Sequence, residues 1–179
     1  MAELVLVRPM SARPLRNNIG SVCIWIAILA TTISVGGNLF QMMVVDPLWS
    51  VAPPASVQAY FSDARHFEAL RRFHQNPFFF VGLLCLIASI ALYWKARALR
   101  WWLLIALFAK VAVSVGTALY VYPINDVLMV HHAANINPAS AVELTRHWLF
   151  ADRVRFLIKV VGLLSLLRAL QLSGTAQKA

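Results

Sequence analysis

Trp148, Asp152, Arg155 and Lys159 follow one another at intervals of four, three and four residues. At helical pitch that spacing puts an indole, a carboxylate and two cations on one stripe. Lys110, Ser114 and Thr117 form a second stripe that leads towards Asn125, and Asn38 and Gln41 add two amides nearer the N-terminus. Helix bundles build their sites from side chains on facing helices, so these groups are candidates to line one polar pocket. Plainer readings stand beside that one. Lysines near helix ends snorkel to an interface, and Lys159 is placed to do so. Asp152 with Arg155 is also a simple local ion pair at helical spacing. Lys110 fits neither description, because it lies deeper and has no acidic residue within reach along its own helix.

The elements that must position these residues follow from composition. The chain has 179 residues, 60% hydrophobic and 13% charged, with a formal net charge of +9. A chain this short cannot bury so much apolar surface in one water-soluble core. Disordered chains are poor in apolar residues, and two cysteines do not make a disulfide scaffold. The composition therefore predicts an all-α integral membrane four-helix bundle in one domain. A bilayer core needs about 20 mainly apolar residues per helix. The uncharged runs predict spans over about 19–42, 77–94, 101–122 and 155–172, with Lys110 inside the third and Lys159 and Arg168 inside the fourth.

The basic residues then sort by side. Arg8, Arg13, Arg16, Lys95, Arg97, Arg100, Arg168 and Lys178 fall together, opposed only by Glu3. Arg65, Arg71, Arg72, Arg146, Arg153 and Arg155 fall on the opposite side, offset by Asp46, Asp63, Glu68, Asp126, Glu143 and Asp152. The positive-inside rule places both termini in the cytoplasm of an inner or plasma membrane. The charge thus acts as a cytoplasmic collar, and no nucleic-acid motif supports another use of it.

Outside the membrane, Pro47, Pro53 and Pro54 are expected to break the chain after the first span. Val57, Tyr60, Phe61, Ala64, Phe67, Leu70 and Phe73 then predict an amphipathic helix over about 56–73, capped by Ser56. It is expected on the membrane surface or over the mouth of the bundle. A second outer loop is expected from Pro123 to Asn137. Asn137-Pro138 announces a long last helix that continues to about residue 172, on the order of 50 Å.

All five histidines (His66, His74, His131, His132 and His147) fall on the outer side. Zinc and copper use such ligands. The sequence has no His-Glu-x-x-His pattern and no paired Glu-x-x-His helices, and adjacent His131 and His132 diverge on a helix, so no metal site is expected. Cys23 and Cys85 read as small packing residues. Walker, dinucleotide-binding and haem-attachment patterns are missing, and no cofactor is expected. Ala30, Ser34, Gly36 and Gly37 suit close helix packing.

Three short elements carry a resemblance that covers most of the chain. Gly36-Gly37 leads into Asp46-Pro47 at the end of the first span. Pro123-Ile-Asn125-Asp-Val-Leu128 follows the third, and Trp148 precedes Arg155 by seven positions. In these the chain resembles the anthrone-oxygenase-like family of small four-helix membrane proteins. It departs from that pattern at Asp152, where His or Asn is common. The resemblance implies oxidation of an activated phenolic or anthrone carbon by molecular oxygen, without an established metal or flavin. It implies Asn125, Asp152 and Arg155 as catalytic residues, with Asp152 as base. Asn38, Lys110, Trp148 and Lys159 would then bind the substrate, the cations holding its anion and Trp148 stacking on its ring.

Two other readings compete. A non-catalytic membrane protein that binds a lipid or protein partner would use the polar stripes as helix-helix glue. A small transporter fits less well, since there is no membrane carboxylate and no discontinuous helix unless the chain forms a homo-oligomer. The expected partners are the lipid bilayer and a small hydrophobic aromatic substrate, with no nucleic acid.

Overall fold

The structure, a computed structural model, describes residues 12–131, 133, 134 and 136–176. Glu3, Arg8, Lys178 and His132 lie outside those residues, as do the side chains of Arg13 and Arg16. The described chain is helical throughout. Helix α1 spans Ala12–Phe40, α2 Asp46–Ser50, α3 Ala55–Phe61, α4 Ala64–His74, α5 Pro77–Leu92, α6 Arg97–Gly116, α7 Tyr122–Asn125 and α8 Pro138–Ala176. Four continuous stretches are long and apolar enough to cross a membrane: Asn17–Ser50, Ala64–Leu92, Arg97–Val130 and Pro138–Gly174.

The prolines do not break the chain where the sequence suggests. Proline lacks an N–H, and its ring crowds the carbonyl four residues back. Here the preceding turn widens to absorb that crowding. π-helical turns at Gln41–Val45 and Thr117–Val121 lead directly into α2 with Pro47 and α7 with Pro123. The first helical stretch therefore ends only at Ser50, and the expected outer loop after Pro123 is helical as far as Val130, through a third π turn at Asp126–Val130. Asn125 sits on a helix rather than in a loop.

The single helix expected over about 56–73 is two helices, α3 and α4, parted at Ser62-Asp63. Asp63 adopts an extended backbone and caps α4 by accepting from the Arg65 amide at 3.0 Å. Ser56 is not a cap. It lies within α3, where its hydroxyl accepts from the Ala52 amide at 3.0 Å and donates to the Trp49 carbonyl at 2.6 Å. Asn76-Pro77 and Asn137-Pro138 do start helices as the cap rule requires. Their side chains accept from the amides of Phe78 at 2.9 Å and Ser140 at 2.8 Å. Helix α8 has 39 residues, about 58 Å at 1.5 Å each.

Around the bundle the packing order is α5, α1, α8, α6, with α5 and α6 in much lighter contact than the other neighbours. Helices α1 and α5 approach closely because Gly82 has no side chain. A Cβ there would lie 2.4 Å from that of Ala30. Two apolar clusters result. One joins Ile24, Ala27, Leu86, Tyr93, Leu103 and Leu166 near the α5–α6 link. The other joins Trp49, Val57, Phe61, Ile124, Leu128 and Trp148 at the opposite end. The outward face is apolar too, with Trp25, Leu84, Phe108, Leu119 and Phe150 more than half exposed. A helix apolar on every side suits hydrocarbon rather than water. The buried polar residues Asn38, Gln41, Asp46 and Asp152 lie on the α1 and α8 stretches that both clusters share.

Candidate functional site

The α8 stripe faces inward. Asp152 is 1% exposed and its neighbour Asn38 on α1 also 1%. An isolated buried carboxylate is costly, so its oxygens must be satisfied. Asn38 Nδ2 donates to Asp152 Oδ2 at 2.8 Å, and the Arg155 guanidinium donates to Oδ1. The carbonyl of the same Asn38 accepts from Lys159 Nζ at 2.7 Å. One amide thereby links the carboxylate to the second cation and holds both from the facing helix. Arg155 also reaches Thr117 Oγ1 at 3.4 Å, which ties α8 to the π turn after α6.

A second link lies one turn further out. Trp148 Nε1 donates to Asn125 Oδ1 at 2.6 Å. The Trp148 ring meets Trp49 edge-on at 5.0 Å, and the Arg155 guanidinium sits 5.7 Å from its centre. These contacts hold the indole from two sides.

Beside this network lies a cavity of about 810 Å³, within the usual range for small-molecule sites. Its cationic lining comes from Lys110, Arg155 and Lys159, with Arg71 towards α4. Phe79, Phe80, Leu86, Ala106, Ala109 and Val113 supply apolar walls. Phe67, Leu70 and His74 of α4 form another wall, and Gln41, Thr117, Asn125 and Trp148 also border the space. Asn38 and Asp152 do not; they lie behind the wall that Arg155 and Lys159 present. The seven residues singled out from sequence thus fall into two sets. Lys110, Asn125, Trp148, Arg155 and Lys159 line the cavity, whereas Asn38 and Asp152 hold the cations from outside it. The Lys110 ammonium makes no hydrogen bond or ion pair with a described residue, and it lies within electrostatic reach of Lys159.

Helix α4 is seated on α1 through Phe73. A Cβ on Gly37 would fall 2.2 Å from the Phe73 ring, so the glycine makes room for it. This seat brings His74 to the cavity, where its Nε2 pairs with Gln41 Oε1 at 3.1 Å. Gln41 is 4% exposed and belongs to the first π turn, a feature that often marks functional positions. From residue type alone His74 is a candidate only as a metal ligand. Its partner lies 33 residues away, so no local spacing points to the pair.

Asp46, at the start of α2, is 4% exposed. It lies within electrostatic reach of Asp152 and Arg155. Its Oδ1, together with Trp49 Nε1 and Arg155 Nε, has no hydrogen-bond partner among the described residues. His66 and His131 have other partners. His66 Nδ1 meets the Tyr60 carbonyl at 2.7 Å, and His131 lies 3.7 Å from Asp126. Among the described residues no three His, Cys, Asp or Glu side chains come together as a metal site.

No family model matches this chain, and neither a curated protein nor a solved structure does.

Proposed function

We propose that the chain is an integral membrane oxidoreductase of the anthrone-oxygenase kind, acting on a phenolic or polycyclic aromatic substrate with molecular oxygen. The observation that carries this reading is the cavity itself. Lys110, Arg155 and Lys159 border one apolar-walled space; of the acidic residues Asp126 is on its lining and the inner Asp152 is not. Such a lining favours a flat apolar molecule carrying negative charge at one edge.

The chemistry that follows is balanced. A methylene carbon between two aromatic rings, conjugated through them with a carbonyl, loses a proton, and the electron pair delocalises onto the carbonyl oxygen. The carbanion adds molecular oxygen, and the peroxide takes up a proton. Loss of water converts the original CH₂ into C=O, with the second oxygen atom leaving in the water. The protein has to hold the enolate oxygen, keep the rings oriented and manage one proton. In this reading Arg155 and Lys159 hold the oxygen, Lys110 adds to the field, and the walls grip the rings. Asp152 and Asn38 are positioning residues for those cations. In this reading the basic residues around Lys95–Arg100 favour the cytoplasmic side of an inner or plasma membrane, which would leave the cavity in the outer half.

The test is oxygen uptake by the purified protein in detergent with an anthrone-type substrate. Catalysed uptake that is lost in an Asp152→Asn, Arg155→Ala double variant supports the proposal. Equal uptake by the two proteins refutes it. A second reading, a non-catalytic protein that binds an acidic lipid, draws on one observation. Exposed Phe80, Ser114, Ala118 and Tyr122 border the cavity along the lightly packed α5–α6 flank. An acidic phospholipid that co-purifies in fixed proportion, with no oxygen uptake, would favour it.

A further inference from the structure

Enolisation needs a group that takes the proton, and that group must face the substrate within reach of the anion-holding cations. Among the described residues the titratable groups that line the cavity are Arg71, His74, Lys110, Tyr122, Asp126, Arg155 and Lys159. Arginine is always protonated, and tyrosine and lysine normally keep their protons near neutral pH. That leaves His74 and Asp126. Both are exposed; Asp126 lies at the Val130 end of its helix with His131 at 3.7 Å, whereas His74 lies within electrostatic reach of Arg155 and Lys159. Asp152 and Asp46 are both buried outside the cavity lining.

From these placements we infer that His74 is the proton acceptor of the site. The inference rests on the oxygenase reading above. The Gln41 carbonyl oxygen takes the hydrogen of His74 Nε2, which fixes the tautomer and leaves the Nδ1 lone pair as the basic position. The groups around the ring are mostly cationic. Arg155 and Lys159 of α8 act on it electrostatically, Arg71 shares its helix, and Lys110 borders the same cavity from α6. The acids on the surrounding elements are Asp46 and Asp152 behind the wall and Asp126 at the rim. Base and counter-charge are thereby divided. The C–H bond breaks, its proton goes to His74 Nδ1, and its electron pair becomes the enolate held by Arg155 and Lys159. The same imidazolium then returns its proton to the peroxide, so the step is closed without a further acid.

The experiment isolates proton transfer from oxidation. Purified protein under argon is given an anthrone in deuterated buffer, and loss of the methylene proton signal is followed by NMR over a range of pH. Wild type should exchange faster than buffer, with the rate falling on the acid side as a histidine becomes protonated. His74→Gln should lose at least about a hundredfold of that rate, the lower end of what a general base supplies. Its acid limb should disappear, and binding of a non-exchanging hydroxyanthraquinone should persist. Free imidazole should restore exchange to His74→Ala. Wild-type rates in His74→Gln, or loss in Asp126→Asn instead, would overturn the assignment while leaving the oxygenase reading intact. A wild type no faster than buffer would overturn both.

Discussion

Replacing Asp152 with alanine removes the carboxylate that pairs with Arg155 and, through Asn38, is linked to Lys159. Asp152 is 1% exposed and the Arg155 side chain 15%, so water does little to compensate. Breaking a buried pair from one side costs about 3–5 kcal/mol, because the surviving charge is left uncompensated. The Asn38 amide also loses its acceptor, whereas its carbonyl keeps Lys159. Asp152→Ala should therefore weaken folding by about 3–5 kcal/mol, and Asp152→Asn by less, since one oxygen can still accept. If the charge imbalance is the cause, removing the cation as well should recover part of the loss. The Asp152→Ala, Arg155→Met double variant should be less destabilised than the sum of its parts by about 0.5–3 kcal/mol, the usual coupling of contacting residues. The assay is reversible unfolding in mixed micelles, with all four members of the cycle measured together. Strict additivity, or a loss below about 1 kcal/mol in the single variant, would refute the argument that this pair is a buried structural charge pair.

Further outcomes follow from the same geometry. Lys110→Met should leave stability unchanged or raised, because the ammonium pairs with no described residue, and should weaken an anionic aromatic ligand roughly tenfold, ~1.4 kcal/mol; micelle unfolding checks the first point and titration of a hydroxyanthraquinone the second. Gly37→Val should fold but displace Phe73 and with it α4, so amides of Ala64–His74 should exchange faster while those of α8 do not change. Asp63 is held down to about 2 by the Arg65 guanidinium and then by the Arg65 amide. A lowered carboxyl supports folding above its ordinary 3.8 and stops doing so as pH falls through about 2. Exchange protection in the first turn of α4, taken relative to the intrinsic amide rate at each pH, should therefore be alike at neutral pH and at about pH 4, and fall near pH 2. Trp148→Phe should cost about 1–3 kcal/mol in the same micelle assay, since it leaves the Asn125 carbonyl unpaired.

Much of the architecture is legible in the sequence because it depends on local signals. Uncharged runs of sufficient length predict the four long apolar helices, and Asn137-Pro138 predicts the start of α8. That Trp148, Asp152, Arg155 and Lys159 share one stripe follows from helical pitch; that it faces inward is seen in the packing against Asn38. The misplaced features depend on what surrounds a residue. Pro47 and Pro123 look like terminators, yet a π turn ahead of each absorbs the crowding that would end the helix. Ser56 has the composition of a cap but bonds back to Trp49 and Ala52. Asp152 has the residue type of a base, and its contact with Asn38, 114 residues away on the facing helix, cannot be read from spacing. His74 is the converse case. It carries no spacing motif, and it reaches the cavity because Gly37 lets Phe73 dock.

The central claim is that Lys110, Arg155 and Lys159 stabilise the anionic form of an aromatic ligand. A hydroxyanthraquinone whose ionised form absorbs at longer wavelength reports this directly. Titrated with wild-type protein, it should ionise at a pH at least about one unit lower than in detergent alone, equivalent to ~1.4 kcal/mol of preference for the anion. The shift should shrink in Arg155→Ala and in Lys159→Met. Ionisation at the detergent value, or a shift that survives both substitutions, would contradict the account.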